Sequence, residues 1–321
     1  MRVLVTGGAG FIGSHIVDAL CRAGHEPSVV DDLSSGSRSN LPADIPLFEG
    51  DVRDADRLAA VFRETRPQLV CHQAAQMSVS RSVRDPRFDA DVNLIGLINV
   101  LDLSVQGDVE RFVFASSGGV LYGDVFEPAD EDHPSNPVSP YGISKWGGEK
   151  YLEFYCRQHG LTGAAMRYAN VYGPRQNPHG EAGVVAIFCR TMLGGGQITI
   201  NGDGSCIRDY VYVEDVARAN LLALTGDLPT GMTPLNVGTA HRTDVNQLAG
   251  VLRTLCTAHL QEAGRTVTIP EPAHGPHRAG DLQSSLVSSR RLSELLGWQA
   301  TVPLNEGLQH TVRWFGEHTE A

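Results

Sequence analysis

Tyr141 and Lys145 stand four residues apart in Tyr141-Gly142-Ile143-Ser144-Lys145, a spacing that puts two side chains on one face of a helix. A free phenol ionises near pH ~10 and is a poor base at neutral pH. An adjacent ammonium favours the phenolate and lowers that value, so the pair can take a proton from an alcohol. The same spacing occurs on solvated helix faces, and alone it decides little. A second feature bears on it. Residues 112–115 read as a strand, and Ser116-Ser117-Gly118-Gly119 follows at its carboxyl end. A hydroxyl there can hydrogen-bond the reacting oxygen and relay its proton; the competing reading of the two serines is turn chemistry.

If hydride leaves the carbon that loses its hydroxyl proton, something must accept it, and the N-terminus offers a place. Thr6-Gly7-Gly8-Ala9-Gly10-Phe11-Ile12-Gly13 follows an apolar strand and opens a helix. It satisfies GxGxxG at Gly8, Gly10 and Gly13 and GxxGxxG at Gly7, Gly10 and Gly13. The glycines permit a tight turn, backbone approach to a pyrophosphate and close helix–strand packing. The N–H groups of the first helical residues, Phe11 and Ile12, then face the phosphates. Asp31-Asp32 ends the second strand, and a carboxylate there accepts hydrogen bonds from a ribose diol and repels a 2′-phosphate. NAD is therefore expected over NADP. The Ser35-Gly36 loop borders the same place, and Arg38 beyond it is expected to face solvent. Asp51-Val52 and Gln73-Ala74-Ala75-Gln76 close the third and fourth strands, where ligands sit in open α/β sheets. Asp51 is the candidate partner of an adenine amino group.

The elements that must position these residues alternate. Strands are expected at 3–5, 27–30, 47–49, 69–71, 111–115 and 162–166. Helices are expected at 11–23, 54–65 with Asp54 as N-cap, 88–105 as one long element, and 141–159. That alternation means βαβ units: an α/β chain with a Rossmann doubly wound parallel sheet covered on both faces. After Gly173-Pro174 the rhythm loosens. Gly194-Gly195-Gly196 breaks a helix before Ile198-Thr199-Ile200, and helical stretches at 244–260 and 304–315 flank a Pro/Gly/His-rich segment at 270–280. These form a smaller mixed α/β C-terminal substrate domain. The expected division is 1–173 for the dinucleotide domain, with 211–240 returning to it, and 174–210 with 241–321 for the substrate domain.

A chain of 321 residues can bury such a core, and its formal net charge of −11 disfavours nucleic acid and anionic membrane as partners. The six cysteines are scattered without a CxxC, as expected of free thiols in a reducing, cytoplasmic setting. The first apolar run is too short for a signal-peptide core, and no later one approaches the ~20 residues of a membrane span. His241, His274 and His277 lack zinc-ligand spacing, so no metal is expected.

Together the motifs resemble those of the extended short-chain dehydrogenase/reductases, and within them the UDP-galactose (UDP-glucose) 4-epimerases. Beyond the glycine loop, the matching blocks are Glu49-Gly50-Asp51-Val52-Arg53, Asp91-Val92-Asn93, Ser116-Ser117-Gly118-Gly119-Val120-Leu121-Tyr122-Gly123 and Tyr141 to Lys145. They continue with Arg167-Tyr168-Ala169-Asn170-Val171-Tyr172-Gly173-Pro174, Ile207-Arg208-Asp209-Tyr210-Val211 and Arg278-Ala279-Gly280-Asp281. The resemblance implies a homodimer with tightly held NAD, acting on a UDP-sugar. Tyr141 would remove the 4′-hydroxyl proton, Lys145 would lower its pKa and hold the nicotinamide ribose, and Ser117 or Ser116 would orient the reacting oxygen. It also implies that Asn93 and Tyr168 border the cofactor. Gly118, Asn170, Arg208, Tyr210, Arg278 and Asp281 would border the nucleotide sugar. A small Ser285, near the sugar's 2′ substituent, would admit N-acetylated sugars.

Between Ser117 and Tyr122 this chain has one residue more than the common family pattern. Counting from the strand selects Ser117, counting back from Tyr141 selects Ser116, and Ser117 is favoured. Gly118-Gly119 is expected to leave open space above the nicotinamide. The acid pair that nucleotide-sugar 4,6-dehydratases need there is absent. A UDP-glucuronate epimerase or decarboxylase, a ketoreductase and a non-catalytic nucleotide-sensing scaffold remain alternative readings.

Overall fold

Val3 and Val5 face one side of their strand and Leu4 the other, and all three are buried. A strand apolar on both faces belongs inside a covered parallel sheet. The computed structural model, which describes residues 1–178, 183–277 and 281–318, shows that sheet. The first half contains β1 (Arg2–Thr6), α1 (Phe11–Arg22), β2 (Glu26–Asp31), β3 (Leu47–Glu49), α2 (Ala55–Thr65) and β4 (Leu69–His72). It continues with α3 (Val79–Arg84), α4 (Pro86–Ala90), α5 (Gly96–Gln106), β5 (Arg111–Ser117), α6 (Gly118–Leu121), α7 (Pro140–His159) and β6 (Thr162–Tyr168). The second half contains β7 (Asn170–Tyr172), α8 (Val184–Leu193), β8 (Thr199–Asn201), β9 (Ile207–Arg208), β10 (Tyr210–Tyr212), α9 (Val213–Thr225) and β11 (Met232–Val237). It ends with β12 (Thr243–Asp244), α10 (Val245–Glu262), β13 (Ala273–Gly275), β14 (Ser284–Ser285), α11 (Arg290–Leu296) and α12 (Leu304–His318).

Seven strands pair in parallel in the order β11-β6-β5-β4-β1-β2-β3. The order reverses between β1 and β4, so a crevice opens outside their carboxyl ends, the usual ligand position in such sheets. One face of the sheet packs Val3, Val5 and Val113 against Ile16 and Leu20 of α1 and Val216 of α9. The other packs Leu4, Val70 and Phe114 against Leu97 and Leu101 of α5 and Leu152 of α7. A third core, with Tyr172, Phe188, Met192, Leu248, Leu252 and Phe315, joins α8, α10 and α12. Leu292 and Trp298, placed by the sequence reading in the substrate domain, lie in the first core, with the Trp298 indole donating to the Asp215 carbonyl of α9.

Three local differences from the sequence expectation matter at the site. The single helix expected over 88–105 is instead α4, a π turn over Asp91–Ile95, and α5. The wider turn brings Asn93 inward, to 2% exposure, within 3.1 Å of the Asp89 carboxylate and the Ser144 hydroxyl. Such bulges recur at functional sites. The short polar helix α3, capped by Ser78, carries no apolar periodicity that would announce it. Strand β5 runs on through Ser117, and Gly118-Gly119 begin a helical turn rather than an open loop.

A buried ion pair locks α7 to the sheet. The Arg167 guanidinium of β6 donates to both carboxylate oxygens of Glu149, at 2.9 and 2.7 Å, and the Ser116 hydroxyl of β5 donates to the same carboxylate at 2.5 Å. Removing one partner of a buried pair strands the other's charge. Glu149→Ala and Glu149→Gln, which both leave the Arg167 charge without a counter-charge, are therefore each expected to lower the unfolding free energy by about 3–5 kcal/mol in a denaturant titration, whereas Glu149→Asp, which keeps the charge, should cost less.

Candidate active site

The glycine loop has the shape its residues predict. Gly7 has φ +66°, and a Cβ there would lie 2.6 Å from the Ala74 nitrogen. A Cβ on Gly13 would lie 2.2 Å from the Gly7 carbonyl oxygen. In front of Gly10 the space is open: an added Cβ would meet only the Gly7 oxygen, at 3.2 Å. Helix α1 begins at Gly10 with no side-chain cap, so its first N–H groups, including those of Phe11 and Ile12, suit an anion.

Asp31 is buried beside this turn and accepts the N–H groups of Ala9 and Leu33, each at 2.9 Å. Burial raises its pKa and these backbone bonds oppose the rise. Gly36 packs against Ala9 and the Asp31 carboxylate, while Ser35 is exposed and Asp32 accepts the Ser34 N–H and hydroxyl. Arg38 is exposed, as expected, but its guanidinium is held by the carbonyls of Ala43 and Ile45. The Asp51 carboxylate is paired with Arg53 at 2.6 Å, which holds its pKa below the usual carboxylate range, and Val52 packs against Gly96. An uncapped helix start, a forced-glycine turn and a buried carboxylate at the second strand fit a dinucleotide.

At the far end of the crevice, Gln73 donates to the Tyr168 hydroxyl at 3.2 Å, and that hydroxyl donates to Asn220 of α9 at 2.8 Å. The Ala74 N–H donates to the Thr6 hydroxyl, and Ala75 follows in the segment after β4. The Gln76 N–H donates to Asn93 and its side chain donates to Asp89, at 2.9 and 2.8 Å.

Tyr141 and Lys145 emerge from the first turns of α7, whose start is set by the Ser139 cap and Pro140. Lys145 is 3% exposed; its ammonium donates to the Ala115 carbonyl at 2.9 Å and lies 5.0 Å from the Phe114 ring centre and 5.8 Å from that of Tyr141. Burial lowers the Lys145 pKa to about 8, against the opposing pull of the Asp89 carboxylate.

The sequence reading expects a lowered Tyr141 pKa. In the structure the phenol is raised instead, first by burial and then by Asp89, with a hydrogen bond to Ser117 acting the other way. Burial and the Asp89 carboxylate outweigh the Ser117 hydroxyl in the protein alone.

The choice between the serines is geometric. Ser116 donates to Glu149, and the alternation of side chains along β5 turns Ser117 to the opposite face, where it acts to lower the Tyr141 pKa. The expected open space applies to only one glycine. A Cβ on Gly118 would lie 2.8 Å from the Val287 side chain, while Gly119 has nothing nearer than the Asn170 side-chain oxygen, at 3.8 Å.

Ser285 is buried in β14 beside β9, opposite Arg208, and its hydroxyl reaches the Gly119 carbonyl at 3.5 Å. Arg208 donates to the Ile207 carbonyl. Tyr210 belongs to the third core, edge-on to Tyr172, so packing accounts for it. Asp281 is exposed, and Arg278 lies outside the described residues.

Sequence reasoning missed Asp89, Asn220 and the Glu149–Arg167 pair. Asp89 and Asn93 are four apart, a spacing visible in the sequence once the helix is known.

A model of the NAD dependent epimerase/dehydratase family matches residues 3–238, and the chain belongs to that family. The UDP-glucose 4-epimerase of Mycolicibacterium smegmatis is 44% identical over 321 residues, covering 98% of each chain. Among solved structures, the UDP-glucose 4-epimerase of Thermotoga maritima with UDP-glucose superimposes with TM-score 0.91 at 46% identity, covering 99% of each chain. The Thermus thermophilus UDP-glucose 4-epimerase in complex with NAD gives TM-score 0.90 at 45% identity, covering 99% of this chain and 100% of the other.

Because a Cβ at Gly13 meets backbone that cannot yield, Gly13→Ala should weaken NAD binding roughly ten- to a hundredfold by calorimetry. Gly250→Ala, where an added Cβ meets nothing within 4 Å, should leave it unchanged.

Proposed function

We propose that this chain is a UDP-glucose 4-epimerase that interconverts UDP-glucose and UDP-galactose through a 4-keto sugar. The carrying observation is the buried Lys145 with the half-buried Tyr141 and Ser117, facing open space at Gly119, at the end of the crevice that the glycine loop begins. NAD, when bound, supplies the acceptor and later the donor of hydride. The chain's own groups manage the proton. Ser117 holds the hydroxyl oxygen of the sugar and the Tyr141 phenol within one hydrogen-bonded chain. The Lys145 ammonium stabilises the phenolate, and the positive charge of a bound nicotinamide acts in the same direction, against the desolvation that raises Tyr141 in the protein alone. Asp31 accepts the adenosine ribose hydroxyls. Arg208 and Asn170 are proposed to line the UDP side, with Arg278 and Asp281 as further partners of the nucleotide.

Rotation of a keto sugar about its diphosphate link needs room, and Gly119 leaves it. Nothing acidic follows Ser117, where elimination of water would call for an acid, which favours epimerisation over dehydration. The short Ser285 side chain beside Gly119 is proposed to admit N-acetylhexosamine substrates as well. The structure further supports a homodimer. Ile143, Trp146 and Phe154 of α7, with Ile95 at the end of the π turn, are exposed between 39% and 54%. Large apolar residues so gathered usually mark an interface. Five of the six cysteines are buried free thiols, in keeping with a cytoplasmic setting.

Holoenzyme incubated with UDP-glucose and no added NAD should produce UDP-galactose by NMR. Tyr141→Phe should abolish turnover while retaining bound NAD, and Ser117→Ala should lower kcat by roughly 10²–10⁴-fold while Ser116→Ala falls far short of that. Absence of conversion by NAD-saturated protein, or a need for stoichiometric NAD, would contradict the reading.

A further inference from the structure

An ammonium removed from water sheds its proton unless the surroundings supply negative charge. Around Lys145, among the described residues, the direct contacts are the Ala115 carbonyl and the ring faces of Phe114 and Tyr141. None carries a full charge. His72, at the end of β4, is kept neutral, its pKa lowered to about 3 by burial and then by Lys145 itself. Tyr168 on β6 is a protonated phenol held to Asn220. On the same helix, Glu149 is buried but neutralised by Arg167. On α3, Arg81 and Arg84 are exposed, and Arg81 covers the Phe88 ring at 3.9 Å. On the π turn, Asp91 is exposed and paired with Arg53.

Asp89 on α4 differs from all of these. It is 1% exposed, and one of its oxygens accepts the amides of Gln76 at 2.8 Å and Asn93 at 3.1 Å. Both donors are neutral, so they hold the carboxylate in place without cancelling its charge. Asn93 in turn lies 3.1 Å from the Ser144 hydroxyl, one residue before Lys145, which ties the carboxylate to the helix carrying the ammonium. Its field acts on both catalytic groups, favouring the charged form of Lys145 and the neutral form of Tyr141.

We propose that Asp89 is a positioning residue whose buried charge, held by Gln76 and Asn93, is the counter-ion that keeps Lys145 an ammonium beneath Tyr141. This rests on the epimerase reading only for the use to which Lys145 is put. Tyr141, Lys145 and Asp89 then form a graded row: the carboxylate sustains the ammonium, and the ammonium sustains the phenolate.

The chain contains only two lysines, Lys145 and the exposed Lys150, which pairs with Glu153. Lysine labelled with ¹³C at Cε therefore gives two resonances, one of them a built-in control, and NMR of the NAD-loaded protein across pH reads the ammonium directly, without turnover. Asp89→Asn should move the Lys145 midpoint acidward by about one pH unit and leave Lys150 where it was. Asp89→Ser, neutral and smaller, should do the same if the asparagine variant does not fold, and Asp89→Glu should keep the wild-type midpoint. In the epimerase assay the alkaline limb, where the ammonium is lost, and the acidic limb, where the phenol is protonated, should move acidward together. A Lys145 midpoint unchanged in the neutral variants, or moved equally by Asp89→Glu, would overturn the proposal. Wild-type protein that titrates as expected yet converts no sugar would overturn the epimerase reading instead.

Discussion

A single buried ammonium organises this site. Lys145 lies where water does not reach, held by one carbonyl at the end of β5 and flanked by aromatic faces. A charge in such a place is costly to keep, and little solvent screens it. The cost is met by architecture. Glu149 and Arg167 clamp α7 to β6 and β5, the π turn rolls Asn93 inward, and Gln76 and Asn93 hold Asp89 behind the pair. Burial keeps the phenol neutral in the protein alone, and in the mechanism proposed above it becomes a base only as positive charge gathers around it. A base that ionises when its cofactor is present avoids stray proton loss when it is not.

The sheet makes this arrangement converge with the dinucleotide site. Strands β1, β4, β5 and β6 end side by side, so Gly7, His72, Ser117 and Tyr168 fall along one edge. The glycine loop at β1 and the serine at β5 are two strands apart across the point where the strand order reverses. One end of that edge suits phosphates, because a helix starts there uncapped. The other suits proton transfer, because the Lys145 ammonium is buried there beside the Tyr141 ring.

Much of this was legible before any coordinates. The consecutive Val3-Leu4-Val5 announced a doubly covered strand, the glycine spacing announced the turn, and the acidic pair announced the end of the second strand, where Asp31 lies buried beside that turn. The pair at i and i+4 falls on one helix, α7, as its spacing requires. What escaped had physical reasons. The π turn adds a residue to a helical turn that no apolar periodicity marks, so 88–105 read as one helix. Burial cannot be read from residue type, so the direction of the Tyr141 shift was wrong, since desolvation dominates it. Ser116 and Ser117 are chemically alike, and only the alternation of side chains along β5, which sends one to Glu149 and the other to Tyr141, separates them. Asp89 looked like one acid among many on a polar stretch until its helix was turned inward.

The central claim is that one enclosed site takes hydrogen from sugar C4 and returns it, with Tyr141 handling only the hydroxyl proton. UDP-galactose carrying deuterium at C4, converted to equilibrium in ordinary water and analysed by mass spectrometry and NMR, tests that most directly. The account predicts that product UDP-glucose keeps the deuterium at C4. Replacement of that deuterium by solvent hydrogen would mean the carbon is deprotonated and reprotonated, and would contradict it.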